Sequence, residues 1–268
     1  MLRKGAALPP ASQGSRPHSA EGQTHRLRVR YTKRGRMRFA SHRDIARTVE
    51  RALRRARVPI AYSAGFNPHP KISYPGAAPT GVASEAEYLE IVVTEFCEAE
   101  QLRHDLDASM PDGLDVCTVE IAPAGSLTDE LQGSVWQIDL PGVSPEAADG
   151  AVAAFLDAAE VEVERVTKKG RRRFDTRGAV LALWARRHNG TDPEYATIQL
   201  VVQHATPAVR PDDVVTALRQ VADLAPPALT RVTRLAQGSL SEISRFVPKD
   251  QQPAAVSTQS VPTAERPQ

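Results

Sequence analysis

The chain has 268 residues, 41% of them hydrophobic and 25% charged, with a formal net charge of +2. That length suffices for one large core or two small ones. No run of about eighteen apolar residues occurs, so no transmembrane helix is expected. The N-terminus carries a Pro pair and no sustained apolar stretch, a poor signal peptide. Cys97 and Cys117 are the two cysteines. They suit a reducing cytoplasm, read as buried small hydrophobes, and are too few for a zinc or iron–sulfur site.

Residues 1–25 and 244–268 are rich in Pro, Ser, Gln, Gly and Ala without hydrophobic period, and read as disordered tails. Between them, Leu27, Val29 and Tyr31 alternate with Arg28 and Arg30, the pattern of a half-buried strand with a basic outer face. Ser41 and Asp44 have the spacing of a helix cap, and Ile45, Val49, Ala52, Leu53 and Ala56 recur at helical spacing up to Pro59. The opposite face carries Arg43, Arg47, Arg51, Arg54 and Arg55. A Gly/Pro-rich loop over 62–81 holds a short strand at 72–74; a strand over 87–93, a helix over 98–110 and a strand over 115–121 follow.

The order repeats in the second half. Strand 134–140 leads to helix 145–159, opened by Ser144 with Pro at its first position. Strands 161–168 and 180–185 flank a basic turn; strand 197–203, helix 211–224 and strand 229–236 complete the set. This predicts an α+β protein of tandem ferredoxin-like (βαββαβ) domains, at 26–125 and 126–243.

Charge is polarised along the chain. Between Arg26 and Tyr74 there are fourteen Lys/Arg against Asp44 and Glu50, while Ser84–Leu131 has thirteen Asp/Glu against Arg103. A basic face attracts phosphate, so RNA is the first partner to consider. The expected phosphate-binding residues are His42, Arg43, Arg47, Arg51, Asn67, His69 and Lys71, joined by Arg171, Arg173 and Arg177 of the second basic cluster at 168–177. Pro68 and Pro70 pre-set the backbone of the loop, which is expected to pass the start of the 41–57 helix and bring His69 to His42. A solvated helix face, or pairing of the arginines with the acidic 84–131 segment, are the competing readings. No Walker loop, Gly-x-Gly-x-x-Gly, Gly-x-Ser-x-Gly or His-Glu-x-x-His occurs, which argues against nucleotide hydrolysis, dinucleotide chemistry and zinc hydrolysis. No catalytic residue, metal ligand or cofactor is assigned.

The segments Phe39-Ala40-Ser41-His42-Arg43-Asp44, Tyr62-Ser63-Ala64-Gly65-Phe66-Asn67-Pro68-His69-Pro70-Lys71 and Pro79-Thr80-Gly81 through Tyr88 resemble the radical SAM-linked family of unknown function. The motifs lie within 26–125; a looser likeness, including Arg173-Phe174-Asp175-Thr176-Arg177, extends to about residue 240. The resemblance implies fusion to, or pairing with, a larger radical SAM enzyme. Radical SAM chemistry itself needs three cysteine thiolates on one cluster, which this chain lacks. The expected role is a non-catalytic accessory module that presents RNA, or another anionic macromolecule, to a radical SAM partner. Two alternatives stand beside it. One is a metal-independent endoribonuclease similar in outline to CRISPR repeat-processing enzymes, its Gly-rich loop reduced to Gln237-Gly238-Ser239; the other is a pure protein-docking subunit.

Overall fold

The structure, a computed structural model, describes residues 24–167, 170–187 and 195–251. The first half comprises β1 (His25–Lys33), α1 (His42–Arg55), β2 (Ile72–Ser73), β3 (Ala83–Val93), α2 (Ala99–Asp107) and β4 (Val116–Ile121). A short α3 (Leu127–Glu130) leads into β5 (Gly133–Pro141), α4 (Pro145–Asp157), β6 (Glu162–Thr167), β7 (Gly170–Asp175), β8 (Val180–Arg187), β9 (Tyr195–Gln203), α5 (Pro211–Ala222), β10 (Arg231–Gly238) and α6 (Leu240–Ile243). Among the described residues, no helix is long and apolar enough to cross a membrane.

One mixed sheet runs through both halves in the order β4-β1-β3-β10-β5-β9-β8, with β2 also on β3. The pairs are antiparallel except at the seam, where Thr233 and Arg234 of β10 lie parallel to Ala83 and Ser84 of β3. β3 thus shares one edge between two strands: its start meets β10, and its end meets β2 through Ile72 and Ile91.

α1 forms where its cap requires. The Ser41 hydroxyl accepts from the Asp44 amide while the Asp44 carboxylate accepts from the Ser41 amide, and Ile45, Val49, Ala52 and Leu53 are buried. They pack with Leu27, Val29, Leu89, Ile91 and Leu106 into the core of the first half. A larger core in the second half gathers Phe155, Leu183, Ile198, Leu200, Val214 and Leu218.

Several expectations change. The basic face of β1 is only partly open to solvent: Arg26 is exposed and Arg30 half-buried, but Arg28 is buried, bonded to Glu90 at 3.1 Å and Glu130 at 2.8 Å. The basic run after residue 168 is not a bare turn, because Gly170–Asp175 is a strand forming a separate ribbon with β6. It carries little apolar alternation to signal it; Phe174 is its buried side chain, covered by the Arg165 guanidinium 4.7 Å from the ring. The chain also stays folded past residue 243. Ile243 and Val247 are buried against Val135, Ala182 and Val201, and the Gln251 side chain bonds the backbone of Leu183. Residues 1–23 and 252–268, most of the expected tails, lie outside the described residues. Cys97 and Cys117 are free thiols, half-buried rather than enclosed.

The seam is closed by a buried polar cluster. Lys33, Glu87 and Arg234 are 3%, 2% and 3% exposed. The Arg234 guanidinium pairs with Glu87 and donates to the carbonyl of Gly76 at 2.6 Å and to Gln237 Oε1 at 3.2 Å. Lys33 Nζ donates to the carbonyls of Ala78 at 3.2 Å and Pro79 at 3.0 Å, and Glu87 accepts from the Ala78 amide at 3.0 Å. Burial pulls the Lys33 ammonium below its ordinary pKa, with the Glu87 charge opposing that shift. Removing one member of such a set strands the others, at a cost of about 3–5 kcal/mol. Glu87→Ala is therefore expected to lose about that much stability in urea melts followed by circular dichroism. A loss below about 1 kcal/mol, the range of an exposed pair, would show that the seam does not depend on this cluster.

Candidate nucleic-acid interface

The solvent face of α1 presents Arg43, Arg47, Arg51, Arg54 and Arg55, all exposed. The helix is 14 residues long, or about 21 Å at 1.5 Å per residue, so guanidiniums one turn apart recur about every 5–6 Å. Arg51 reaches Thr48 Oγ1 at 3.2 Å, Arg54 the Glu50 carbonyl at 3.3 Å and Arg55 the Ser109 carbonyl at 3.3 Å. Among the described residues, none of the five is in an ion pair. Six of the thirteen acidic residues of the 84–131 segment pair elsewhere: Glu85 and Asp115 hold Arg34, Glu87 holds Arg234, Glu90 and Glu130 hold Arg28, and Glu100 holds Arg103. Pairing of the α1 arginines with that segment is thus not what the structure contains.

Three aromatic side chains stand out near the stripe. Phe39, just before α1, is 65% exposed, with the Arg38 guanidinium 5.4 Å from its ring. Tyr62 is 53% exposed, and Phe66, at the tip of the 62–71 loop, is fully exposed. The loop is pinned rather than free. The Ser63 amide donates to the His69 carbonyl at 2.8 Å, the His69 amide donates to Ser63 Oγ at 3.0 Å, and the Lys71 amide donates to the Ala61 carbonyl at 2.8 Å. Gly65 turns the chain at φ 127°, a conformation that favours glycine.

The loop sits over the second half of α1. Glu50, Leu53 and Arg54 face Tyr62, Pro68, His69 and Pro70 across a cleft of about 470 Å³. His42, Arg43, Arg47, Asn67 and Lys71 do not line it. His42 packs edge-on against Tyr74, with ring centres 5.4 Å apart. His69 is therefore gathered with Glu50 and Arg54, not with His42 at the helix start as the sequence led us to expect. Arg171 and Arg173 are exposed on β7 and share Glu164, at 3.1 and 3.5 Å. Arg177 is part-buried and donates to the carbonyls of Val180 and Leu156, both at 3.3 Å. Lys168 and Lys169 of that cluster lie outside the described residues.

A second cleft, of about 400 Å³, opens where the 76–82 loop meets β5, β10 and the start of α5. His204, Ser134, Trp136 and Arg234 line it, from chain segments too far apart for motif reading to join. Its polar atoms satisfy one another. His204 Nδ1–H donates to the Leu131 carbonyl at 2.6 Å, Nε2 accepts from Ser134 Oγ at 2.9 Å, and the Trp136 indole N–H donates to Ser134 Oγ at 3.0 Å. Burial, with the Arg234 charge adding to it and the Leu131 bond opposing, holds the His204 imidazole below its ordinary 6.5. A depressed histidine pKa means the unfolded chain binds more protons, so this contribution is complete above about pH 6.5 and is lost as pH falls toward the folded-state pKa. Urea melts from pH 8 to 5 are expected to show a drop in stability below pH 6.5 that is smaller in His204→Gln. An identical pH profile in that variant would remove His204 as its source.

No curated protein matches the chain. It is similar to an unknown protein from Galdieria sulphuraria, at 14% identity over 80% of this chain and 100% of that one, with a TM-score of 0.24. It is also similar to the first two RRM domains of the yeast poly(U)-binding protein Pub1, at 11% identity over 79% and 99% of the two chains, with a TM-score of 0.18. Residues 26–211 match a family described as an uncharacterized protein conserved in bacteria (DUF2344), and the chain belongs to that family.

Proposed function

We propose that this protein is a non-catalytic module that binds RNA along α1 and presents it to a partner, which the sequence resemblance implies is a radical SAM enzyme. The observation that carries the reading is the five-arginine face, which has no carboxylate partner among the described residues. Like charges one turn apart repel, and each costs the isolated helix a few tenths of a kcal/mol. A polyanion that displaces its counterions onto this face relieves the repulsion and gains entropy from ion release. Phe39 near one end of the stripe, with Tyr62 and Phe66 in the loop packed beside its second half, adds ring faces on which unpaired bases can stack.

The same reading takes the two halves as ferredoxin-like units at 26–125 and 126–243. The strand orders β4-β1-β3-β2 and β10-β5-β9-β8 support it, since each places the unit's last and first strands side by side. The β6–β7 ribbon is then an insertion in the second unit, tied down by the Arg165 pair with Asp213 at the start of α5.

Single-stranded RNA titrated over a salt series is expected to bind at low salt and to weaken steeply as salt rises. Each phosphate contact contributes about 0.7 to the slope of log K against log salt. Arg43→Ala/Arg47→Ala/Arg51→Ala is expected to lower that slope by about 2 without shifting the thermal midpoint, since all three side chains are exposed. No binding at low salt, or an unchanged slope, would overturn the reading. RNA incubated with the protein and EDTA should stay intact; cleavage would replace the accessory role with the nuclease one.

A further inference from the structure

The cleft beside the second half of α1 differs from the one at the seam in the state of its polar groups. At the seam, Ser134, His204, Trp136 and Arg234 are bonded to one another or to backbone. In the α1 cleft, the Glu50 carboxylate makes no hydrogen bond or ion pair among the described residues, although Arg47 and Arg54 lie one turn away on the same helix. The Tyr62 hydroxyl and the His69 imidazole are likewise without a side-chain bond among the described residues. Beneath them lies an apolar floor of Leu53, Ile60 and Ile72. The volume of about 470 Å³ falls in the range of small-ligand sites.

Resting on the RNA-binding reading above, we propose that this cleft takes one unpaired guanine base from a strand held on the α1 arginines. A carboxylate accepts hydrogen bonds and cannot donate them. Guanine presents two adjacent N–H donors on its pairing edge, at N1 and the exocyclic amine, which match the two oxygens of Glu50. Uracil sets carbonyls on both sides of its single N–H, and cytosine and adenine place a ring acceptor beside the amine. Each of those sets a lone pair against the carboxylate. Tyr62 offers a flat ring and Pro68 and Pro70 rigid apolar surfaces for the base, and Arg54, near the end of the stripe, lies at the cleft wall. A carboxylate in a polyanion-binding face is otherwise unfavourable, because it repels phosphate. Reading a donor edge gives it a use.

The test uses the full chain and seven-nucleotide RNAs of uridine with guanosine, adenosine, cytidine or uridine at the centre. The guanosine strand is expected to bind about 10-fold more tightly than the other three, the discrimination of one good bidentate contact. Glu50→Gln separates the roles. A charge that only repels phosphate would, once neutralised, raise affinity for all four strands equally. A guanine reader would lose the preference for guanosine while the uridine strand held or gained. Tyr62→Ala is expected to cost the guanosine strand about 10-fold through lost stacking. Binding of all four strands with equal affinity, or a guanosine preference that survives Glu50→Gln, overturns the cleft assignment and leaves the arginine face standing. Failure of all four to bind at low salt overturns both.

Discussion

The buried triad of Lys33, Glu87 and Arg234 joins the two halves and fixes where β3 starts. Charged groups leave water only where partners replace the hydration they lose. Here Arg234 has the Glu87 carboxylate, the Gly76 carbonyl, Gln237 Oε1 and the Ser84 hydroxyl, and Lys33 has two carbonyls of the 76–79 segment. Satisfying these groups holds the start of β3 against β10 over a parallel contact of two residue pairs, too short for backbone hydrogen bonds alone to define. Gln237 adds a bond of 2.6 Å from its amide to the Ala86 carbonyl, in the same stretch.

With its start fixed, β3 carries geometry to its other end. Val92 donates to the Lys71 carbonyl at 3.1 Å and accepts from the Ala61 amide at 2.7 Å, so both feet of the 62–71 loop stand on that one residue. The loop is therefore placed by the sheet and not by its own contacts with α1. Its direction toward Leu53 and Arg54 follows from where β3 ends. Local sequence could not reveal this, and the loop's Pro and Gly content is equally compatible with lying at the helix start.

The parts that were legible are those governed by local rules. The cap at Ser41 and Asp44, the burial of Ile45, Val49 and Leu53, and the Pro at the first turn of α4 follow from backbone donors and helical spacing that four or five residues specify. What stayed hidden depends on partners distant in the chain. Arg28 alternates as an outer-face residue should, yet Glu130 from beyond β4 folds over it. Arg171 and Arg173 read as loop because their strand is stabilised mainly by pairing with β6 and by one buried ring, Phe174. Ser239 and Glu242 form a capping box, a local signal just ahead of the stretch whose composition reads as tail.

The charge pattern divides along the same line. Arginines on strands meet carboxylates because sheet register brings distant residues face to face: Arg28 lies opposite Glu90 across the β1–β3 pair. Arginines on the outer face of α1 have no strand beside them, and their helical neighbours one turn away are mostly other arginines. Asp44 is drawn into the cap, where the Ser41 bonds hold its carboxyl below the usual range, with Arg47 and Arg43 adding to that. Glu50 is then left as the one carboxylate on α1 outside the cap, and it stands where the loop placed by β3 closes over the helix. The positive face and the single acceptor within it follow from one arrangement: among the described residues, Glu85, Glu87, Glu90, Asp115 and Glu130 pair with Arg28, Arg34 and Arg234, and the outer face of α1 keeps its arginines for whatever anion approaches from solvent.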